Sequence, residues 1–181
     1  MSGTAKVIYD GKEWEVPVIA GSEGEKGIDL TTLRKTTGLV SLDPAYGSTG
    51  SGKSAITFID GEKGILRYRG YPIEQIAQRA RFTEVCYLLI YGERPTQDEL
   101  TKFSSDLTYH TLLHEDMKKF FEGYPPSAHP MAIMASMVAS LSTFYPDNDP
   151  ALNDLNIIRI LAKSKTLAAF AHKKSVGQPF I

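Results

Sequence analysis

The chain has 181 residues, of which 42% are apolar and 23% charged, the balance of a globular protein with enough chain to bury a core. Its formal net charge of −1 provides no overall field to gather nucleic acid or an anionic membrane, so neither is expected as a partner. No apolar run approaches the roughly 20 residues a helix needs to cross a bilayer, and the opening MSGTAKVIYDGKEW lacks the apolar segment of a signal peptide, so a soluble, cytoplasmic protein is expected.

Up to about residue 70 the chain reads as short alternating runs separated by Gly and Asp, which predicts strands and turns. Lys6 to Tyr9, then Asp10-Gly11, then Glu13 to Val18 predict a β-hairpin with a tight turn. A short helical turn is expected within Ile28 to Thr37. Ser54 to Ile59 and Ile65 to Tyr68 are further strands, joined by Asp60-Gly61-Glu62-Lys63-Gly64.

After Gly70 the pattern becomes helical. Pro72 sits where a first turn accepts it and opens Ile73 to Ala80. Phe82 to Tyr91 is a second helix, ended by Gly92. It contains Cys86, the single cysteine, which excludes an internal disulfide and is expected to be a buried, inert thiol. Thr96 with Glu99 forms a capping box for a helix running toward His110, and His114 to Glu122 is a short amphipathic helix closed by Gly123. Ala128 to Phe144 carries no charge on any face, so it is expected to be buried all round, either within one subunit or at a subunit interface. Tyr145 to Pro150 is a loop. Leu152 to Lys163 and Thr166 to Ser175 read as two helices or one kinked helix. Gln178 to Ile181 is an apolar stub, which suggests a truncated chain. The expected architecture is mainly α, with a small β-rich region over 1–70, a helical region over 71–181 and no parallel sheet.

Gly47-Ser48-Thr49-Gly50-Ser51-Gly52-Lys53-Ser54 satisfies the phosphate-loop pattern, but that motif works between a buried strand and a helix N-terminus. Here a loop precedes it and the β-branched run Ala55 to Ile59 follows, so a flexible surface loop is expected. His110 and His114 could share a helical face, yet no third metal ligand is evident, and helix-end bonding is the expected role. Asp147-Asn148-Asp149 lacks the Gly and distal Glu of a calcium loop and reads as a turn. No Gly-x-Ser-x-Gly elbow occurs. Arg159 and Lys163 stand at i and i+4, with Lys165, Lys173 and Lys174 nearby. Such a face either holds phosphates or is a solvated helix edge.

Several stretches together resemble one family. Ser54-Ala55-Ile56-Thr57-Phe58-Ile59-Asp60-Gly61 runs into Gly64-Ile65-Leu66-Arg67-Tyr68-Arg69-Gly70-Tyr71-Pro72-Ile73. His110-Thr111-Leu112-Leu113-His114-Glu115 and Ala128-His129-Pro130-Met131-Ala132 follow, then Lys173-Lys174-Ser175-Val176-Gly177-Gln178-Pro179-Phe180. In order and spacing they resemble citrate synthase of the bacterial hexameric type, N-terminal portion.

The resemblance implies a part of the helical large domain, preceded by a small β region. It also implies an enzyme that condenses acetyl-CoA with oxaloacetate to citrate and CoA, with no cofactor required. The family's catalytic His and Asp residues lie beyond the stretch matching this chain, so no catalytic residue is carried over and the chain alone is expected to be inactive. What carries over is assembly, as a dimer and a hexamer built as a trimer of dimers, and allosteric inhibition by NADH at positions matching His110, Thr111, Tyr145, Arg159 and Lys163. The family's basic residue before that His is Tyr109 here. Two other readings are a 2-methylcitrate synthase acting on propionyl-CoA and a free-standing nucleotide-binding or interaction module.

Overall fold

A computed structural model describes residues 3–146 and 149–180. The turn expected at Asp147 and Asn148, and the terminal residue of the apolar stub, lie outside the described residues. Within the chain, Met1–Ala55 forms one compact unit and Ile56–Ile181 another. The compositional change near residue 70 therefore falls inside the second unit, whose helices share it with a small sheet.

In the first unit, β1 (Gly3–Tyr9) and β2 (Lys12–Ala20) pair antiparallel, with Tyr9 opposite Lys12 and Gly3 opposite Val18. Asp10 and Gly11 between them both have positive φ, 51° and 70°, the backbone of a type I′ turn that matches strand twist. The hairpin is longer than the alternating runs predict, and a third strand, β3 (Lys26–Ile28), adds to β2. The expected helical turn is α1 (Leu33–Thr37), closed by Gly38 at φ 79°. Val16 and Leu33 are the buried apolar residues among those described in this unit.

The second unit opens with β4 (Thr57–Asp60), β5 (Ile65–Tyr68) and β6 (Tyr71–Pro72), an antiparallel sheet in sequence order. β4 starts three residues later than the expected strand from Ser54, and β6 is too short for periodicity to reveal. Asp60 holds the β4–β5 turn by accepting from the Lys63 backbone at 3.0 Å and from its Nζ at 2.9 Å. At the β5–β6 turn Arg69 and Gly70 both have positive φ, 49° and 87°. The Arg69 guanidinium reaches the carbonyl of Leu89 at 2.8 Å.

Helices follow as the caps and breakers predict. α2 (Ile73–Arg79) begins after Pro72, and α3 (Phe82–Tyr91) ends at Gly92, φ 92°. α4 (Gln97–Tyr109) begins in the Thr96/Glu99 box, with Thr96 N to Glu99 at 2.8 Å and Glu99 N to Thr96 Oγ1 at 3.3 Å. α5 (Glu115–Glu122) and α6 (Pro130–Phe144) are capped by the Nδ1 atoms of His114 and His129. After one 3₁₀ turn, Pro150–Leu152, comes α7 (Asn153–Ser175), a single helix of 23 residues. No Pro or Gly interrupts Ser164-Lys165, and the Ser164 hydroxyl folds back on the Ile160 carbonyl at 2.6 Å, so the helix runs through.

Two apolar clusters hold these helices. Phe103 and Leu107 of α4 meet Ile158 and Ala162 of α7. Met117 and Phe121 of α5, Ile133, Met137 and Leu141 of α6, and Leu167 and Ala171 of α7 form the other. α7 therefore belongs to both. α6 is only partly covered within this chain: uncharged all round, it buries one stripe at i, i+4, i+8, and leaves Ala132, Ala135, Ser136 and Met131 exposed, so the one-subunit alternative does not account for its outer face. Cys86 is half-buried at the edge of the α4–α7 cluster, with burial pushing its thiol pKa up. It is less enclosed than its apolar run suggests. Among the described residues no helix is long and apolar enough to cross a membrane.

Phe121 is fully buried and its ring meets those of Phe170 and Phe180 at 5.7 and 5.4 Å. Phe121→Ala is expected to lower unfolding free energy by about 3–5 kcal/mol, read from denaturant titration. Phe82→Ala, at a site 78% exposed, should change it by less than about 0.5 kcal/mol; equal losses would mean the α5–α6–α7 cluster is not the core.

Candidate functional site

α4 ends without glycine. The carbonyls of His110, Thr111 and Leu112 lie past its last residue, in the connection to α5, outside any helix ladder, and need a donor from elsewhere. α7 supplies it. Lys163 Nζ donates to the His110 carbonyl at 3.0 Å and to the Leu112 carbonyl. One turn further on, Thr166 Oγ1 donates to the Thr111 carbonyl at 2.9 Å. Lys163 is 3% exposed, the one buried charged residue among those described. An ammonium tolerates such burial when its donors are matched.

α6 brings Tyr145 to the same place, as its C-cap residue. Lys163 Nζ lies 5.3 Å from the centre of the Tyr145 ring, and the Arg159 guanidinium lies 4.6 Å from it. Arg159 is half-buried and also donates from one terminal nitrogen to Asn156 Oδ1 at 3.0 Å. Among the described residues no carboxylate pairs with Arg159 or Lys163. Two cations against one aromatic ring, of which half-buried Arg159 is the more open, suit an anionic group attached to something flat.

All five residues singled out from the sequence thus converge. His110 and Thr111 take part through their backbone carbonyls, while Tyr145, Arg159 and Lys163 take part through their side chains. Sequence reasoning missed Thr166, Asn156 and the commitment of Lys163 to two carbonyls. The signal that could have found the last was the glycine-free end of α4, set against Gly38, Gly92 and Gly123 after α1, α3 and α5. Arg69 at the end of α3, and Lys174, which donates to the Glu122 carbonyl at 3.2 Å at the end of α5, also meet helix-end carbonyls, although these two helices are followed by Gly92 and Gly123.

The remaining motifs resolve locally. Gly47 to Ser54 forms no helix start, and the next element is an antiparallel strand. The Asp43 carboxylate already accepts from the amides of Gly47 and Ser48 at 3.1 and 2.9 Å and from Thr49 Oγ1 at 2.6 Å. Amides that a phosphate would need are therefore turned onto a resident anion. His114 caps α5 through Nδ1 and packs on Phe144 with ring centres 5.1 Å apart, so it serves the helix end. Among the described residues no three His, Cys, Asp or Glu side chains gather as around a metal ion.

The Thr49 hydroxyl, then the Ser48 and Gly47 amides, hold the Asp43 carboxyl below the ordinary aspartate range. A depressed folded value means the tie is complete above the ordinary value of about 4. It is lost as pH falls through the lowered one. In an NMR titration the Gly47 and Ser48 amide signals should move together with a midpoint below about 4; a midpoint at or above that would mean the carboxylate does not hold the loop.

Comparison with known proteins gives one family. The family model described as "Citrate synthase, C-terminal domain" matches residues 45–181. The chain is 50% identical over 182 residues to citrate synthase 1 of Mycobacterium tuberculosis H37Rv, covering 98% of this chain and 42% of that protein. It is 50% identical over 177 residues to the citrate synthase of Corynebacterium glutamicum, covering 96% and 40% respectively. The chain therefore spans about two-fifths of the length of these curated relatives. Among solved structures it is similar to citrate synthase from Thermoplasma acidophilum, described as a ternary complex with carboxymethyl coenzyme A and oxaloacetate, with a TM-score of 0.68 and 23% identity over 73% of this chain and 35% of that one. It is also similar to citrate synthase from Thermotoga maritima, with a TM-score of 0.65 and 24% identity over 77% and 36%. At these identities the two structures establish a shared, mainly helical fold.

Proposed function

The chain belongs to the citrate synthase family, and from that premise we propose that it is part of an enzyme condensing acetyl-CoA with oxaloacetate and water to citrate and CoA, in the cytoplasm. The observation that carries this reading is 50% identity over 98% of the chain to a citrate synthase. The coenzyme A analogue and oxaloacetate bound to the Thermoplasma acidophilum protein support the substrate classes. The reaction needs a base for the acetyl methyl and a group polarising the ketone, both held in place. The resemblance puts those groups outside the stretch this chain matches. By itself the chain is therefore inactive, and its contribution is assembly and regulation. The exposed Ala, Ser and Met face of α6 supports a helical dimer interface, since small side chains allow close approach between helices. The full enzyme then assembles as a hexamer of three such dimers.

The regulatory ligand is NADH, bound where Tyr145 and Arg159 meet the end of α4. Its pyrophosphate supplies the anion and its rings supply flat surfaces for Tyr145 and His110. The convergence of these residues with Lys163 supports this reading over a solvated helix edge, because an edge would leave Arg159 and Lys163 in water.

Two measurements test the proposal. Purified chain mixed with acetyl-CoA and oxaloacetate should release no free CoA above a blank; measurable turnover would overturn the division between this chain and the catalytic groups. Calorimetric titration with NADH should give saturable binding that Arg159→Ala weakens by roughly ten- to a hundredfold, the loss of a charge-assisted phosphate contact worth about 1.5–3 kcal/mol. Equal affinity in the two proteins would return Arg159 to the solvated edge.

A further inference from the structure

We infer that His129 is a pH-sensitive cap: neutral, its imidazole holds the first turn of α6 closed, and protonated, it releases that turn. Pro130 has no amide to offer, so Met131 carries the first N–H of α6. That amide donates to His129 Nδ1 at 3.2 Å, and the amides of Ala132 and Ile133 donate to the His129 carbonyl at 2.9 and 3.2 Å. An imidazole nitrogen accepts a hydrogen bond only while it carries no proton. Once protonated, Nδ1 is a donor facing another donor, with a positive charge set at the positive end of the helix dipole. The residue then opposes the turn it had capped. Thr96, which caps α4, and Asp149, which caps the 3₁₀ turn, present oxygens that still accept at mildly acid pH.

α5 provides the contrast. His114 caps it in the same way, with the Asp116 amide donating to Nδ1 at 3.2 Å. Protonated His114, however, has two partners ready. Asp116 Oδ2 lies 3.5 Å from the same nitrogen, and the ring of Phe144 is centred 5.1 Å from the imidazole. Lys119, bonded to Asp116 at 2.7 Å, holds that carboxyl below the ordinary aspartate range, so it is charged when the imidazole takes up its proton. The first turn of α6 contains no acid. The elements packed on α6 supply none either. In α5, Glu115 and Asp116 pair with Lys118 and Lys119, and Glu122 acts on Lys119. In α7, Asp154 stands in the first turn beside Tyr91, and the last turn brings the bases His172, Lys173 and Lys174. Among the described residues no carboxylate pairs with His129.

An imidazole ordinarily takes up its proton near pH ~6.5. The capped turn holds no proton at Nδ1 and the released turn does, so the cap is fully present well above that value and is lost as pH falls below it. The released turn carries Met131 and Ala132, both exposed, while the buried stripe of α6 begins at Ile133. Acid therefore acts on one end of the uncharged outer face and leaves the packed face in place.

Amide hydrogen exchange of the wild-type chain, corrected for the intrinsic pH dependence of exchange, reads this residue by residue. Protection of Ala132 and Ile133 should fall about fivefold between roughly pH 7.5 and pH 5.5, the size of a lost N-cap. Met117 donates to the His114 carbonyl at 2.9 Å at the matching place in α5, and its protection should change by less than about twofold. His129→Asn keeps a capping oxygen that does not titrate and should hold the α6 turn at both pH values, whereas His129→Ala should leave it loose at both. Wild-type protection that is flat with pH, an equal fall at Met117, an equal fall in His129→Asn, or full protection in His129→Ala would each overturn the proposal.

Discussion

A single buried ammonium joins α7, the connection between α4 and α5, and the end of α6. Lys163 projects from the middle of α7, is closed off from water, and donates to the carbonyls of His110 and Leu112. Burying a charge costs several kcal/mol unless its donors are matched. Here the acceptors are also groups that need a donor, because the carbonyls of His110 and Leu112 lie in the connection between α4 and α5, outside any helix ladder. The two requirements meet each other, and Thr166 repeats the bond to Thr111 one turn along. The register between α7 and the connection from α4 to α5 is thus set by hydrogen bonds, which are directional, rather than by apolar contact, which is not.

Around that tie the packing is ordinary. α7 is long enough to serve two clusters, with Ile158 and Ala162 against α4, and Leu167 and Ala171 against α5 and α6. Lys163 lies between these pairs on the same helix. Because its neighbours on both sides are buried apolar groups, the ammonium cannot swing into solvent without a large rearrangement. The same economy of partners recurs at other helix ends. Arg69 reaches the end of α3 and Lys174 the end of α5, cations meeting the negative ends of helix dipoles.

The candidate nucleotide site follows from this arrangement. Tyr145 caps α6 and would be one more aromatic residue at a helix end, were it not for the two cations on its ring. Arg159 keeps its charge without a carboxylate partner among the described residues. A protein surface usually neutralises such a group or leaves it mobile in water. Resting it on an aromatic face holds it in one orientation, which lowers the entropy lost when an anion binds. The phosphate-loop pattern at Gly47 to Ser54 shows the contrary case, in which a motif is present in residues but its amides already hold Asp43.

Much of this is legible in the residues themselves. Capping residues and breakers act within a few positions, so Pro72, Gly92, the Thr96/Glu99 box and Asp10-Gly11 located element ends well. The order of several long motifs was enough to recognise the family, which the comparisons bear out, and the i, i+4 spacing of Arg159 and Lys163 put both on one face of a helix. Other features depend on what lies across space. Which face of uncharged α6 is covered could not follow from its composition, since Ala and Ser accept either environment. The short strands β3 and β6 exist because a neighbouring strand offers bonds, and they have too few residues to show a period. Lys163 is the clearest instance. In the sequence it is a lysine beside other lysines, and by propensity it belongs in water. Tertiary structure alone decided its burial, because the carbonyls that make burial affordable stand more than fifty residues earlier in the chain.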